Sequence, residues 1–162
     1  LTNNITFKEF LSMPFKLLSL QNYPEVTISK FPITLPEMNL WLTEMNELLA
    51  QYQDFVLIYP TFDPLYFDQA EPQSLKAARK MALAWFQENR ALLKIKCRGI
   101  ILPIKEDDSD LPIIEIHRDE LESFYRIPTE ILYHPKDLTT LSSALLYDFW
   151  DMPTAGIHKI SS

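Results

Sequence analysis

Phe55-Val56-Leu57-Ile58-Tyr59, a loop from Pro60 to Pro72, a helical pattern from Ser74 to about Lys96, and then Gly99-Ile100-Ile101-Leu102-Pro103-Ile104 form the stretch that decides the fold. Its two apolar runs do not alternate with polar residues, so both faces of each must be covered. Short continuous apolar runs on either side of an amphipathic helix are the pattern of a βαβ unit with parallel strands. The helix predicted between them buries Leu75, Ala78, Ala82, Trp85, Phe86, Leu92 and Leu93 and leaves Lys76, Arg79, Lys80, Glu88, Arg90 and Lys94 in solvent. Ser74 is its expected N-cap, and Lys94, Lys96 and Arg98 suit its negative C-terminal end. Gly99 is read as the turn into the second strand.

Upstream, Glu25-Val26-Thr27-Ile28-Ser29-Lys30-Phe31 alternates polar and apolar and predicts a half-buried strand near a sheet edge. Thr34-Leu35-Pro36-Glu37 is a capping-box pattern. It opens a helix with Met38, Trp41, Leu42, Met45, Leu48, Leu49 and Tyr52 on one stripe. Residues 1–23 fit equally a short helix followed by a strand or a pair of strands, since Pro14 interrupts any single helix. Downstream, Lys105 to Asp110 is a charged loop, Leu111-Pro112-Ile113-Ile114-Glu115-Ile116 reads as a short edge strand, and Asp119 to Arg126 as a brief helix. Glu130 to His134 is the last expected strand, and Asp137 caps a helix through Leu138, Leu141, Leu145 and Phe149, with Trp150 and Met152 closing the packing. The expected fold is one small α/β domain, a mixed and mainly parallel sheet of about four to six strands flanked by helices. Residues 1–24 form an extension or first strands, 25–152 the domain, and 153–162 a flexible tail.

Composition narrows the function classes. A chain of 162 residues that is 47% hydrophobic can bury a single core. Its net charge of −7 disfavours nucleic acid and anionic membranes, because phosphate binding needs a basic face. One cysteine, Cys97, precludes an intrachain disulfide and makes a reducing, cytoplasmic compartment the expectation. No apolar run reaches the length of a membrane span and no export signal is visible. With Leu1 rather than Met at position 1, a trimmed upstream segment is expected. Two glycines against twelve prolines exclude the glycine-rich loops that cradle phosphates.

From Glu25 to Trp150 the chain resembles a bacterial STAS-like family, related in fold to the anti-sigma-factor antagonists. The resemblance rests on element order, on Arg79, Trp85 and Arg90 within the long helix, on Trp85-Phe86-Gln87-Glu88-Asn89-Arg90, and on Cys97-Arg98-Gly99-Ile100-Ile101. It implies a non-enzymatic, regulatory, protein-binding role. The antagonists are switched by phosphorylation of a Ser in an Asp-Ser-(Ser/Thr)-Gly turn. Nothing after Tyr59 reproduces that turn, so the switch is not carried over, and residues 105–129 run longer than the family pattern.

Candidate chemistry is sparse. Cys97 has Lys96 and Arg98 as neighbours, and His117 or His134 could serve it as a base, but its junction position fits a buried structural thiol. His117, His134 and His158 show no HxH or HxxxH spacing, so no metal site is expected, and no cofactor. Asp63, Asp68 and Glu71 read as loop solvation rather than as acid and base. The loop after Tyr59 is the strongest feature: it lies at the carboxyl end of a parallel strand, where open α/β sheets place their sites. Tyr59, Phe62, Asp63, Leu65, Tyr66 and Phe67 are the residues expected to bind a protein partner, with a lid over the sheet as the competing reading. Phe7, Phe10, Leu11 and Phe15, in the stretch from Ile5 to Leu20, could dock in a partner's groove. The resulting expectation is a non-catalytic adaptor, a homodimer or subunit of a larger bacterial assembly. The alternative is a small-molecule-binding or hydrolytic domain with a site around Asp63, Asp68 and His134.

Overall fold

The computed structural model describes residues 15–105 and 110–147. The aromatic stretch before Phe15, Trp150, Met152 and the tail from Pro153 lie outside the described residues. In chain order the elements are β1 (Leu18–Asn22), β2 (Glu25–Ile28), α1 (Leu35–Gln51), β3 (Phe55–Ile58), the single turn α2 (Pro64–Phe67), α3 (Pro72–Lys96), β4 (Cys97–Pro103), α4 (Leu111–Tyr125), β5 (Thr129–Leu132), a 3-10 turn (Pro135–Asp137) and α5 (Leu138–Leu146). The five strands form one sheet in the order β1-β2-β3-β4-β5. The β1–β2 hairpin is antiparallel and every other pairing is parallel, so the expected mixed, mainly parallel α/β sheet is what forms.

Alternate residues of the strands feed two separate cores. Val26, Ile28, Phe55, Leu57, Ile100, Leu102 and Ile131 point to the face covered by α1, α3 and α4. Val56, Ile58, Ile101 and Leu132 point to the opposite face, where Leu138, Leu141, Leu145 and Leu146 of α5 cover them. This two-sided burial is why the β3 and β4 runs lack alternation.

Local chemistry sets the element boundaries. Thr34 caps α1 by accepting from the Glu37 amide at 3.2 Å, and Glu37 reaches back to the amide of Ile33 at 3.0 Å, the expected capping box shifted by one residue. α3 begins earlier than the Ser74 reading. Pro72 takes the first turn, where no amide is needed, and the Glu71 carboxylate accepts from the Ser74 amide at 2.9 Å. With so few glycines, positive φ falls on Asp54 (58°) between α1 and β3 and on Arg126 (57°) at the end of α4.

Three further expectations are corrected. Residues 111–116 are not a strand but the first half of α4: Pro112 sits in the opening turn, and Leu111, Ile114, Leu121 and Tyr125 form one helical stripe. Gly99 lies inside β4 opposite Val56 rather than at the turn. A Cβ there would stand 2.8 Å from both Leu145 methyls, so the missing side chain makes room for α5. Leu92 is exposed rather than part of the buried face of α3.

One buried acid ties the edge strand to the helix layer. Glu44 of α1 is 5% exposed, and its carboxylate accepts from the amides of Lys16 (2.7 Å), Leu17 (3.0 Å) and Leu18 (2.9 Å). Trp85 likewise joins α3 to α1 by donating from Nε1 to Asn46 Oδ1 at 2.8 Å.

Candidate functional site

Because the parallel strands follow one another in sequence order, strand order never reverses. The crevice that a reversal opens at the carboxyl edge of many α/β sheets is therefore missing. Space opens instead between the helix layer and the sheet. A cavity of about 560 Å³ lies over the ends of β2 and β4, with Ile28, Leu102 and Pro103 at its floor. Met38 and Trp41 of α1 form one wall, Ala82, Leu83 and Phe86 of α3 another, and Ile114, Leu121 and Tyr125 of α4 a third.

The loop after β3 closes one end. Asp63 caps α2 by accepting from the Leu65 amide at 3.1 Å, and the same carboxylate pairs with Lys105 at 3.2 Å. Held in this way, Phe67 packs on Phe31 (ring centroids 5.0 Å), on Phe62 (5.7 Å) and on Tyr66 (6.0 Å). The Tyr66 hydroxyl donates to the Phe31 carbonyl at 3.1 Å. Phe62 also lies 6.2 Å from the His117 ring, which links the loop to α4. The loop aromatics thus form a cover whose inner side, Phe62 and Phe67, is cavity wall.

Of the six residues expected to meet a partner, Tyr59, Phe62 and Phe67 face the cavity. Asp63 and Tyr66 fasten the cover, and Leu65 alone is well exposed, at 70%. Asp68 and His134 are both exposed, and with Asp63 they are absent from the cavity wall, so the trio forms no shared pocket. No group of three His, Cys, Asp or Glu side chains among the described residues could hold a metal ion. No helix among them is long and apolar enough to cross a membrane. Cys97 is buried and donates to the Gly99 carbonyl at 3.2 Å; burial pushes its thiol up to about 12, so it is protonated at neutral pH.

The polar groups of the wall are few. Burial raises the pKa of the Tyr59 phenol, which stays a neutral donor and makes no hydrogen bond among the described residues. The Trp41 indole Nε1 is buried without an acceptor among the described residues. Arg79 sets its guanidinium 5.7 Å from the centre of the Phe67 ring, and Arg90 lies three turns further along α3. Glu120 is joined to His117 at 3.5 Å. Both arginines are exposed, as the sequence reading has them, while the aromatic wall was read as filled core. The void depends on how far apart α3 and α4 stand, which no residue spacing reports. Compared with protein-family models, curated proteins and solved structures, the chain matches none of them.

Proposed function

We propose that this chain is a non-catalytic binding domain, STAS-like in architecture, that holds a small apolar molecule between its helix layer and its sheet. The cavity carries the reading: about 560 Å³ falls within the roughly 300–1,000 Å³ typical of ligand clefts, and its wall is aromatic and aliphatic with a few polar groups. A non-catalytic role is supported by the wall chemistry. The Tyr59 phenol of the wall is neutral, and the protonated Cys97 thiol, Asp63, Asp68 and His134 are all absent from that wall. The mainly parallel sheet, with α1, α3 and α4 on one face and α5 on the other, supports the STAS-like reading.

The test is titration with an apolar alcohol such as dodecanol, followed by the emission of Trp41 and Trp85. Saturable quenching is expected, and Ala82→Phe, which puts a ring into the void, should abolish it while the circular dichroism is unchanged. Equal quenching in wild type and variant would refute the proposal.

A second reading, an adaptor that binds a protein partner in a bacterial cytoplasm, is favoured by the exposed apolar side chains of Leu65 (70%) and Ile116 (60%). Sedimentation of the pure protein, with Leu65→Asp and Ile116→Asp as controls, tests the self-associating form of that reading. A monomer at every concentration removes the homodimer.

A further inference from the structure

The polar groups around the cavity fall into an outer and an inner set. Arg79, Gln87, Arg90, His117 and Glu120 are exposed and meet water at the rim. Opposite charges of that rim are joined through the cover. The Arg79 guanidinium lies 5.7 Å from the centre of the Phe67 ring, Phe67 packs on Phe62 at 5.7 Å, Phe62 lies 6.2 Å from the His117 ring, and His117 meets Glu120 at 3.5 Å. A guanidinium and a carboxylate thus border the same mouth, and the rim selects neither sign of charge.

The inner set is made of donors without charge. Trp41 Nε1 and the Tyr59 hydroxyl have no protein partner among the described residues. The indole nitrogen is sealed off, whereas the phenol is not one of the sealed atoms, so a molecule in the cavity can reach it. Tyr125, the other phenol of the wall, is not free. The Tyr59 ring is set edge-on against Phe31 at 6.2 Å, and burial keeps its hydroxyl protonated. One neutral donor therefore stands open on the cavity. A hydrogen bond to an exposed rim side chain replaces one to water and nets little, but at a desolvated hydroxyl there is less water to displace.

Resting on the reading of the cavity as a ligand site, we infer that the ligand is a neutral carbonyl compound, a ketone or an ester with an apolar body, whose oxygen accepts from the Tyr59 hydroxyl. A carbonyl brings one acceptor and no donor, which matches the single open O–H. An alcohol brings a donor as well. Two hydroxyls share one hydrogen bond and leave one O–H over, and the Trp41 indole, itself a donor, cannot accept it. A carboxylate would give up its water for a site with one neutral donor.

The experiment titrates the whole chain with methyl octyl ketone, with the secondary alcohol of the same carbon skeleton and with decanoate, read by calorimetry and tryptophan emission. The ketone is expected to bind about tenfold more tightly than the alcohol, and the acid most weakly. In Tyr59→Phe the ratio of ketone to alcohol affinity should fall to about one. Ligand-free Tyr59→Phe should melt no lower than the wild type, because the hydroxyl it deletes has no protein partner; a clear drop in Tm would show that the donor is already used and would overturn the inference. Equal binding of ketone and alcohol by the wild type, or a preference for decanoate, would overturn it too and leave the cavity reading standing. A ketone preference that survives Tyr59→Phe would take the carbonyl away from Tyr59 and overturn the assignment. Binding of none of the three, or ketone binding that survives Ala82→Phe, would overturn both the inference and the cavity reading.

Discussion

Replacing Glu44 by Ala should cost this protein a large share of its stability although Glu44 belongs to no site. Its carboxylate accepts from three successive amides at 2.7, 3.0 and 2.9 Å, which fastens the entry to edge strand β1 onto α1. Those of Leu17 and Leu18 belong to residues 4% and 3% exposed, whereas Lys16 is exposed and its amide can turn to water. Each buried donor left unpaired costs about 1–3 kcal/mol, so the two together cost about 4 kcal/mol at the middle of that range. Against a total of about 5–15 kcal/mol for a domain, that is a shift in Tm of about 8–16 °C for a chain of this size. Glu44→Gln keeps one acceptor but turns an amide group toward a donor, and should fall between. Urea unfolding and a thermal melt read the change, with the exposed Glu47→Ala on the same helix as a control that moves little. A loss under about 1 kcal/mol for Glu44→Ala would refute the claim that this carboxylate anchors the edge strand.

Three further outcomes follow from the packing and the titrating groups. Gly99→Ala drives a Cβ into Leu145 and should destabilise by about 1–3 kcal/mol, with Leu145→Ala in the same chain relieving part of the clash; additive losses in the double variant would argue against the contact. Cys97 should resist Ellman's reagent at pH 8 until the protein is unfolded, since burial keeps it a thiol; complete reaction of the native protein within minutes would contradict this. Burial pushes the Glu37 carboxyl up, but the Lys30 ammonium at 2.7 Å and the amides of Ile33 and Thr34 outweigh it and hold the group below its ordinary value. Stability from Glu37 is therefore present above the unfolded value of about 4.3 and is lost as pH falls through the lower folded value. Melts across that window should be flatter for Glu37→Gln, and identical slopes would count against the assignment.

Much of the fold was legible because its causes are local. The β3 and β4 runs are apolar on both faces, and the Thr34 to Glu37 box marks the start of α1 whatever surrounds it. Residues 111–116 misled because β-branched Ile113, Ile114 and Ile116 suit a strand. The helical stripe through Leu121 and Tyr125 emerges only over the full fifteen residues of α4. Glu44 could not be singled out, since its donors lie more than twenty-five residues away in sequence and nothing local separates it from exposed Glu47.

The site was legible only at its cover. The crowding of Tyr59, Phe62, Tyr66 and Phe67 marked the loop, but which side chains turn inward depends on Asp63 meeting Lys105 and on Tyr66 reaching Phe31. Trp41 and Phe86 have the spacing of core residues, and a cavity wall has the same spacing as a filled core.

Whether the void under this cover takes a ligand is read by methyl NMR during titration with dodecanol. The two cores serve as each other's control. Saturable shifts are expected at Leu102, Ile114 and Leu121 on the helix face, with Val56, Ile101 and Leu132 on the α5 face unmoved. Shifts of equal size on both faces, or none on the helix face at saturating ligand, would contradict it.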